Sequence, residues 1–172
     1  MGRWVVLFSQ TGKEIADISE AIKRFPDLIL SNRGDLNTVD FRIRDRVQLI
    51  SKIPSVEDYN RYFKKEDIIT LHGFLRILPE EICNSYAIYN GHPGLITEFP
   101  LLKGKDPQLK AFNMGLEYSG CVIHKVSPEV DCGEIQKNKK IEIKSLTLDE
   151  IYLYLRDVSL ELWIEFLKEK LI

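Results

Sequence analysis

Short apolar runs alternate in this chain with segments of helical periodicity, and this alternation constrains the fold more than any other feature. Trp4–Phe8 (WVVLF) and Leu28–Leu30 are typical of buried strands, and between them Ile15, Ile18 and Ile22 recur at helical spacing. Strands that alternate with helices form a mostly parallel central sheet flanked by helices. The sequence therefore predicts an α/β fold.

The rest of the chain continues this pattern and adds a different ending. Further strands are predicted at 47–50, 67–71 and 85–90, and helices at 56–63, 79–83 and 107–114, whereas 31–45 gives no clear assignment. Gly115 has the position of a helix C-cap. The extended stretches 120–126 and 134–143 are expected to pair antiparallel. Thr147 and Glu150 have capping-box spacing before a long apolar C-terminal helix, which packs on the sheet or, alternatively, also forms a subunit contact.

Composition excludes several classes of protein. A chain of 172 residues favours a single domain over residues 1–172. The 24 basic and 26 acidic side chains leave no positive excess, so no nucleic acid partner is expected. No apolar run approaches the roughly 20 residues that cross a bilayer, and the N-terminus does not resemble a signal peptide. Three cysteines without close spacing and three scattered histidines predict a reduced, cytoplasmic protein without a metal site.

Ligands of parallel α/β sheets bind beyond the carboxyl ends of the strands, and Asn90-Gly91-His92-Pro93-Gly94 occupies such a place. Asn90 and His92 are two residues apart, so in extended chain their side chains project to the same side. Pro93 keeps His92 extended. An amide beside an imidazole suits the stabilisation of an oxyanion and the movement of a proton. The alternative is that His92 is an ordinary structural or surface histidine.

A carboxylate that can orient His92 is found in Asp131-Cys132-Gly133, within a turn-rich loop between the last two extended stretches. Taken alone, Asp131 is equally typical of an ordinary turn aspartate.

Four segments, in this order, resemble the folate-dependent formyltransferases: Gly73–Leu78 (GFLRIL), Asn90–Gly94 (NGHPG), Gly120–His124 (GCVIH) and Val130–Ile135 (VDCGEI). The resemblance is densest over residues 67–143, and it is strongest to the glycinamide ribonucleotide transformylase branch and to the catalytic domain of methionyl-tRNA formyltransferases. It implies a Rossmann-like formyltransferase fold and a site that joins 10-formyltetrahydrofolate to a nucleophilic amine.

The resemblance also implies residue roles. Asn90, His92 and Asp131 would form the catalytic trio, in which Asn90 and His92 donate hydrogen bonds to the developing oxyanion and Asp131 favours the protonated imidazole and assists proton transfer. The pterin slot of the folate would be lined by Leu75, Arg76, Ile77 and Leu78, and closed by the loop that carries Val130, Cys132 and Gly133. Core packing is the alternative for the apolar members of the slot.

The acceptor side departs from the purine-pathway relatives. Thr11, Gly12 and Lys13 are expected to hold a phosphate at a helix N-terminus, with Gly94 also near the acceptor. Glu14 puts a carboxylate where the anion would lie, although acid in a first helical turn also complements the helix dipole. Lys103 and Lys105 stand where those relatives carry a histidine-bearing segment, and they either contact an anionic substrate or are merely solvated.

The predicted function is therefore formyl transfer to the primary amine of a small, phosphorylated metabolite, with glycinamide ribonucleotide as the leading candidate. The alternatives are a formyltransferase for an amino sugar or modified nucleotide, a 10-formyltetrahydrofolate hydrolase, and an inactive folate-binding module. A tRNA acceptor is disfavoured because the chain shows no basic excess and no additional C-terminal domain. The protein is expected to be a monomer or a homodimer.

Overall fold

Residues 2–171, which the computed structural model describes, form seven strands in a single sheet. In chain order these are β1 (Trp4–Phe8), β2 (Leu28–Ser31), β3 (Val47–Leu49), β4 (Ile68–Leu71), β5 (Ile88–His92), β6 (Tyr118–Lys125) and β7 (Ile135–Glu142). Their order across the sheet is β3-β2-β1-β4-β5-β6-β7. The first five strands pair in parallel, and β6 and β7 continue the sheet antiparallel. The predicted α/β fold is confirmed.

Five α-helices lie within the same residues, and two separate hydrophobic cores form. The helices are α1 (Lys13–Ile22), α2 (Val56–Tyr62), α3 (Glu80–Ser85), α4 (Pro107–Asn113) and α5 (Leu148–Leu171), with short 3-10 turns at Arg44–Arg46 and Pro100–Leu102. The larger core includes buried side chains of α1 and α5, and the smaller one those of α2 and α3. None of these helices is long and apolar enough to cross a membrane.

The long C-terminal helix begins as its sequence predicts. The Thr147 amide donates to Glu150 Oε2 at 2.7 Å, and the Glu150 amide to Thr147 Oγ1 at 3.3 Å, so the capping box is formed in both directions. The packing of α5 against β5 explains why residue 91 is a glycine. A Cβ there would lie 2.7 Å from Trp163 Nε1, so only glycine lets this helix approach the strand so closely.

The antiparallel part of the sheet begins with the β5–β6 pair, one strand earlier than predicted, and this pairing lengthens β5. The strand predicted at 85–90 is observed at Ile88–His92, because β6 supplies hydrogen-bonding partners as far as His92, which pairs with Val122. Asn90 pairs with His124 in the same ladder. His92 therefore lies within the same strand as Asn90 rather than in the loop after it.

The unassigned segment 31–45 contains turns and bends, and it is held by two buried side chains, Val39 and Ile43, and by charge pairing. The Arg42 guanidinium lies 2.7 Å from Asp40, 2.8 Å from Asp17 and 2.7 Å from Glu20. Hydrogen bonding from Arg42 lowers the pKa of Asp40 to about 2. These contacts join the segment to α1.

Candidate active site

A cavity of about 620 Å³ opens at the carboxyl end of β4 and β5. Its apolar walls come from the segment 74–78 and from the loop that follows β6. Its polar wall contains Asn90, His124 and Asp131. Asn90 and His124 are opposite one another in the β5–β6 ladder, which places an amide beside an imidazole. Polar groups that converge in a mostly apolar cavity are typical of a ligand site.

Asp131 is held in this wall by its own backbone conformation and by a hydrogen bond. Its φ is 54°, the left-handed region that aspartate tolerates better than most residues. The Gly104 amide donates to Asp131 Oδ2 at 2.8 Å. The prediction that a turn carboxylate lies near His92 agrees with this geometry, since the two side chains are in contact.

His92 lies buried behind the polar wall, between Leu102 and Asp131. Its Nε2 is 2.8 Å from the Leu102 carbonyl oxygen, and its Nδ1 is 3.3 Å from Asp131 Oδ2. Because a carbonyl oxygen only accepts, we assign a proton to Nε2, which leaves Nδ1 facing the carboxylate. Any second proton on this ring therefore lies between His92 and Asp131. Neither ring nitrogen is free to donate to an oxyanion, so the predicted oxyanion contact of His92 has no support in this geometry.

Burial and the attraction between His92 and Asp131 shift the pKa of each group in opposite directions. Burial lowers the pKa of His92, and the opposing attraction of Asp131 does not outweigh it. Burial also opposes ionisation of Asp131, but contact with His124, the Gly104 amide and His92 together lower the pKa of this carboxyl. Asp131 thus favours the imidazolium, as expected, yet the net bias of His92 is toward the neutral ring.

His124 is a polar member of the site that sequence reasoning did not assign. Its Nε2 is 3.3 Å from Asp131 Oδ1 and makes no well-aligned hydrogen bond within residues 2–171, while Nδ1 lies 3.0 Å from the Lys125 carbonyl oxygen. The sequence signal that could have identified His124 is its position at the end of the segment GCVIH. Its proximity to Asn90 depends on the β5–β6 register, which this signal does not give.

Two smaller cavities continue along the sheet edge. One of about 260 Å³ borders Leu71, which also lines the large cavity, and reaches Gly91 and Pro93. The other, of about 400 Å³, contains Thr11, Gly12 and Lys13, as predicted for one site, and shares Glu14, Gly73 and Arg156 with its neighbour. The Gly12 φ of +70° is left-handed, and a Cβ there would meet the Ile43 side chain.

Gly94 does not join these residues. A Cβ built on Gly94 would lie 2.8 Å from the Pro107 side chain and 3.1 Å from the His92 ring, so no space remains for a side chain. Its small size therefore serves packing at the start of α4, and its predicted contact with the acceptor has no support in this geometry.

Residues 54–167, more than half of the chain, match the family model described as formyl transferase. The chain belongs to this family. It is 28% identical over 156 residues to the phosphoribosylglycinamide formyltransferase of Escherichia coli, covering 81% of this chain and 72% of that protein. It is 32% identical over 106 residues to the methionyl-tRNA formyltransferase of a Thermotoga strain, covering 60% of this chain and 33% of that protein. The chain thus spans only about a third of the latter protein's length.

Solved structures extend the agreement in fold. The glycinamide ribonucleotide transformylase 1 of Geobacillus kaustophilus superposes with a TM-score of 0.85 at 24% identity, and each chain is fully covered. A formyltetrahydrofolate deformylase from Pseudomonas syringae superposes with a TM-score of 0.76 at 19% identity, with 97% of this chain and 60% of that one covered. The Rossmann-like formyltransferase fold is confirmed, and it is shared by proteins named transformylase and deformylase.

The large cavity of this formyl transferase family member suits a flat, edge-polar group such as the pterin of the family's donor, 10-formyltetrahydrofolate. Leu75 and Ile77 line it with side chains that are 66% and 76% exposed, so core packing does not explain them. Leu78 borders the cavity but is buried in the smaller core. Arg76 is fixed by a 3.0 Å hydrogen bond from Nε to the Lys52 carbonyl. Val130 contributes the opposite wall.

Cys132 and Gly133 lie next to this cavity rather than in its wall. Cys132 is exposed, with its sulfur 3.2 Å from Lys103 Nζ. A Cβ on Gly133 would overlap the carbonyl oxygen of Lys125, so this glycine lets the loop pass close to the end of β6. Lys105 does line the cavity.

Proposed function

We propose that this protein transfers the formyl group of 10-formyltetrahydrofolate to the primary amine of a small metabolite. The observation that carries the proposal is the meeting of Asn90, Asp131 and His124 in one wall of the large cavity, with His92 in contact with Asp131 behind it. The folate would occupy the large cavity and the acceptor the two smaller ones. Leu71, which borders both, marks the place where the two substrates would meet.

In the proposed reaction the amine nitrogen attacks the formyl carbon directly. A new C–N bond forms, the bond from this carbon to the folate nitrogen breaks, and one amine proton passes to the departing folate. The Asn90 amide would donate to the oxygen on which negative charge develops. The His92–Asp131 pair would hold and return the proton, with water as the connecting group where direct contact is lacking.

We propose glycinamide ribonucleotide as the leading acceptor. The support is the similarity to phosphoribosylglycinamide formyltransferases, which in the Escherichia coli protein extends over 81% of this chain. The order of the cavities fits an acceptor with an amine at one end and an anionic group at the other, beside Thr11 and Lys13. Under this proposal the protein takes part in purine biosynthesis.

The test is release of tetrahydrofolate, followed by absorbance, from 10-formyltetrahydrofolate with and without glycinamide ribonucleotide. Release that requires the amine, together with a formylated product detected by mass spectrometry, is the expected result. Equal release without any amine would replace the proposal by hydrolysis. Folate binding without release under either condition would exclude glycinamide ribonucleotide as the acceptor, and the same outcome with every amine tested would overturn enzymatic activity.

A further inference from the structure

Glu14 borders both of the smaller cavities, although neither the catalytic trio nor the phosphate loop accounts for it. It lies in the first turn of α1, and its side chain is about 30% exposed. A role toward the helix dipole alone requires only that a carboxylate be near the helix end. The contacts of this side chain go well beyond that requirement.

Both carboxylate oxygens of Glu14 contact other protein side chains. Oε2 lies 2.7 Å from His72 Nδ1, and Oε1 accepts a 3.0 Å hydrogen bond from the Ser159 hydroxyl on α5. Since each carboxylate oxygen accepts more than one hydrogen bond, accepting capacity remains on the side that faces the cavities. A carboxylate fixed in this way is a preorganised acceptor.

His72 is itself fixed by a chain of buried groups. The Trp4 indole donates to Thr70 Oγ1 at 2.9 Å, and Thr70 Oγ1 lies 3.0 Å from His72 Nε2. Because a carboxylate oxygen only accepts, we assign a ring proton to Nδ1, directed at Glu14, and the Thr70 hydroxyl then donates to Nε2. The ring centre is also 4.6 Å from that of Trp163.

The charges around Glu14 do not favour an anion at this point. Lys13 is paired with Asp17 at 3.4 Å, and Arg156 lies 3.8 Å from Asp157. Any anion placed against Glu14 would meet its carboxylate directly. Neutral groups that donate hydrogen bonds meet no such repulsion.

We propose that Glu14 binds hydroxyl groups of the acceptor, such as the neighbouring hydroxyls of a sugar ring, and that His72 is its positioning residue. This inference rests on the proposed formyl transfer and adds the selection of a hydroxylated acceptor. The amine end of the acceptor lies toward Leu71, its hydroxyls against Glu14, and any phosphate further on beside Lys13. Ribosyl and amino-sugar acceptors share this chemistry.

The experiment compares glycinamide ribonucleotide with its analogue in which both ribose hydroxyls are replaced by hydrogen. Binding is measured by calorimetry and turnover by tetrahydrofolate release, for the parent, Glu14→Gln and the matched control Glu20→Gln, a neighbour on α1 paired with Arg42. The parent and the control are expected to prefer the hydroxylated compound about tenfold, and Glu14→Gln to lose most of that preference. The KM for the acceptor should rise, while the KM for the folate stays constant.

His72→Phe retains an aromatic ring beside Trp163 and removes the hydrogen bond to Glu14. It is expected to reduce the same preference, with little further loss in the double variant with Glu14→Gln, whereas a merely structural role would lower the melting temperature and leave the preference unchanged. Parental preference in Glu14→Gln, or a parent that binds neither compound, overturns the inference. Preferential binding without turnover on any amine upholds it and overturns the proposed function.

Discussion

His92 Nδ1 lies 3.3 Å from Asp131 Oδ2, while the opposite nitrogen of the same ring is held 2.8 Å from the Leu102 carbonyl. The ring therefore cannot turn its protonated nitrogen to the carboxylate without losing the carbonyl contact. Burial favours the neutral ring, and the carboxylate favours the charged one. Burial and the carboxylate thus act in opposite directions on a proton between these two groups, which suits a pair that must accept a proton and give it back.

Asn90→Ala is expected to fold normally and to lose formyl transfer. The side chain is only partly buried, whereas the loss of one oxyanion donor typically costs about 2.7 to 4 kcal/mol of barrier, or two to three decades in kcat. Stopped assays of tetrahydrofolate release, with circular dichroism as the check on folding, measure this. Asn138→Ala, on the exposed part of β7, is the matched control. Near-parental turnover in a folded Asn90→Ala protein would contradict the assignment.

The stability of the protein should fall with acid in a window set by His92. An unfolded histidine takes up a proton near pH 6.5, and burial lowers the pKa of native His92 below this value. The unfolded chain then binds the proton more readily, so the contribution of the neutral ring is complete above about pH 6.5 and is lost as the pH falls toward the native pKa. Asp131, whose pKa is also lowered, acts in the same direction only at more acid pH.

Urea unfolding of the parent and of His92→Asn, at about pH 7.5 and about pH 5.5, measures this effect. The parent is expected to lose more of its unfolding free energy between the two conditions than the variant does. An equal loss in both proteins would mean that His92 is not the titrating group.

The fold was predictable because periodicity records burial directly. Trp4–Phe8 is buried at every position, and Ile15, Ile18 and Ile22 all face the core. The end of β5 was not predictable, since its last two residues are strand only because β6 pairs with them. Pairing between segments some 30 residues apart leaves no periodic trace in either one. The predicted strand 85–90 therefore ended two residues before the observed end at His92.

In the candidate site, the sequence identified the main polar side chains but not the contacts that these side chains make. Asn90, His92 and Asp131 were recognised from motif residues, and contact between His92 and Asp131 agrees with that prediction. The approach of His124 to Asp131 and the chain from Trp4 to Glu14 required the sheet register and helix packing, which no local pattern contains. Gly94 and Gly133, which were assigned to ligands, are also required for packing, since a Cβ would meet the Pro107 side chain at Gly94 and the Lys125 carbonyl at Gly133.

Gly133→Ala is therefore expected to destabilise the loop that carries Asp131. The new methyl group would overlap the carbonyl oxygen of Lys125, and backbone cannot yield as the end of a side chain does. We expect a loss of about 1 to 3 kcal/mol in unfolding free energy, together with a lower kcat. Gly34→Ala is the control, because no other group of the described residues 2–171 lies within 4 Å of its Cβ position. Parental stability in Gly133→Ala would contradict the close approach of loop and strand.

Ile77→Ser tests whether the exposed apolar wall of the large cavity binds the folate. The Ile77 side chain is 76% exposed and belongs to neither core, so its replacement removes little buried area, and the melting temperature should hardly change. If the pterin covers this side chain, the lost apolar contact is worth about 1 kcal/mol or more, so the KM for 10-formyltetrahydrofolate should rise about five- to tenfold at constant kcat. Leu101→Ser, 71% exposed and outside that cavity wall, should change neither quantity.

Saturating folate should raise the melting temperature of the parent and of Leu101→Ser alike, and the same folate concentration should raise that of Ile77→Ser less. Equal folate stabilisation of all three proteins would contradict the assignment of Ile77 to the donor site.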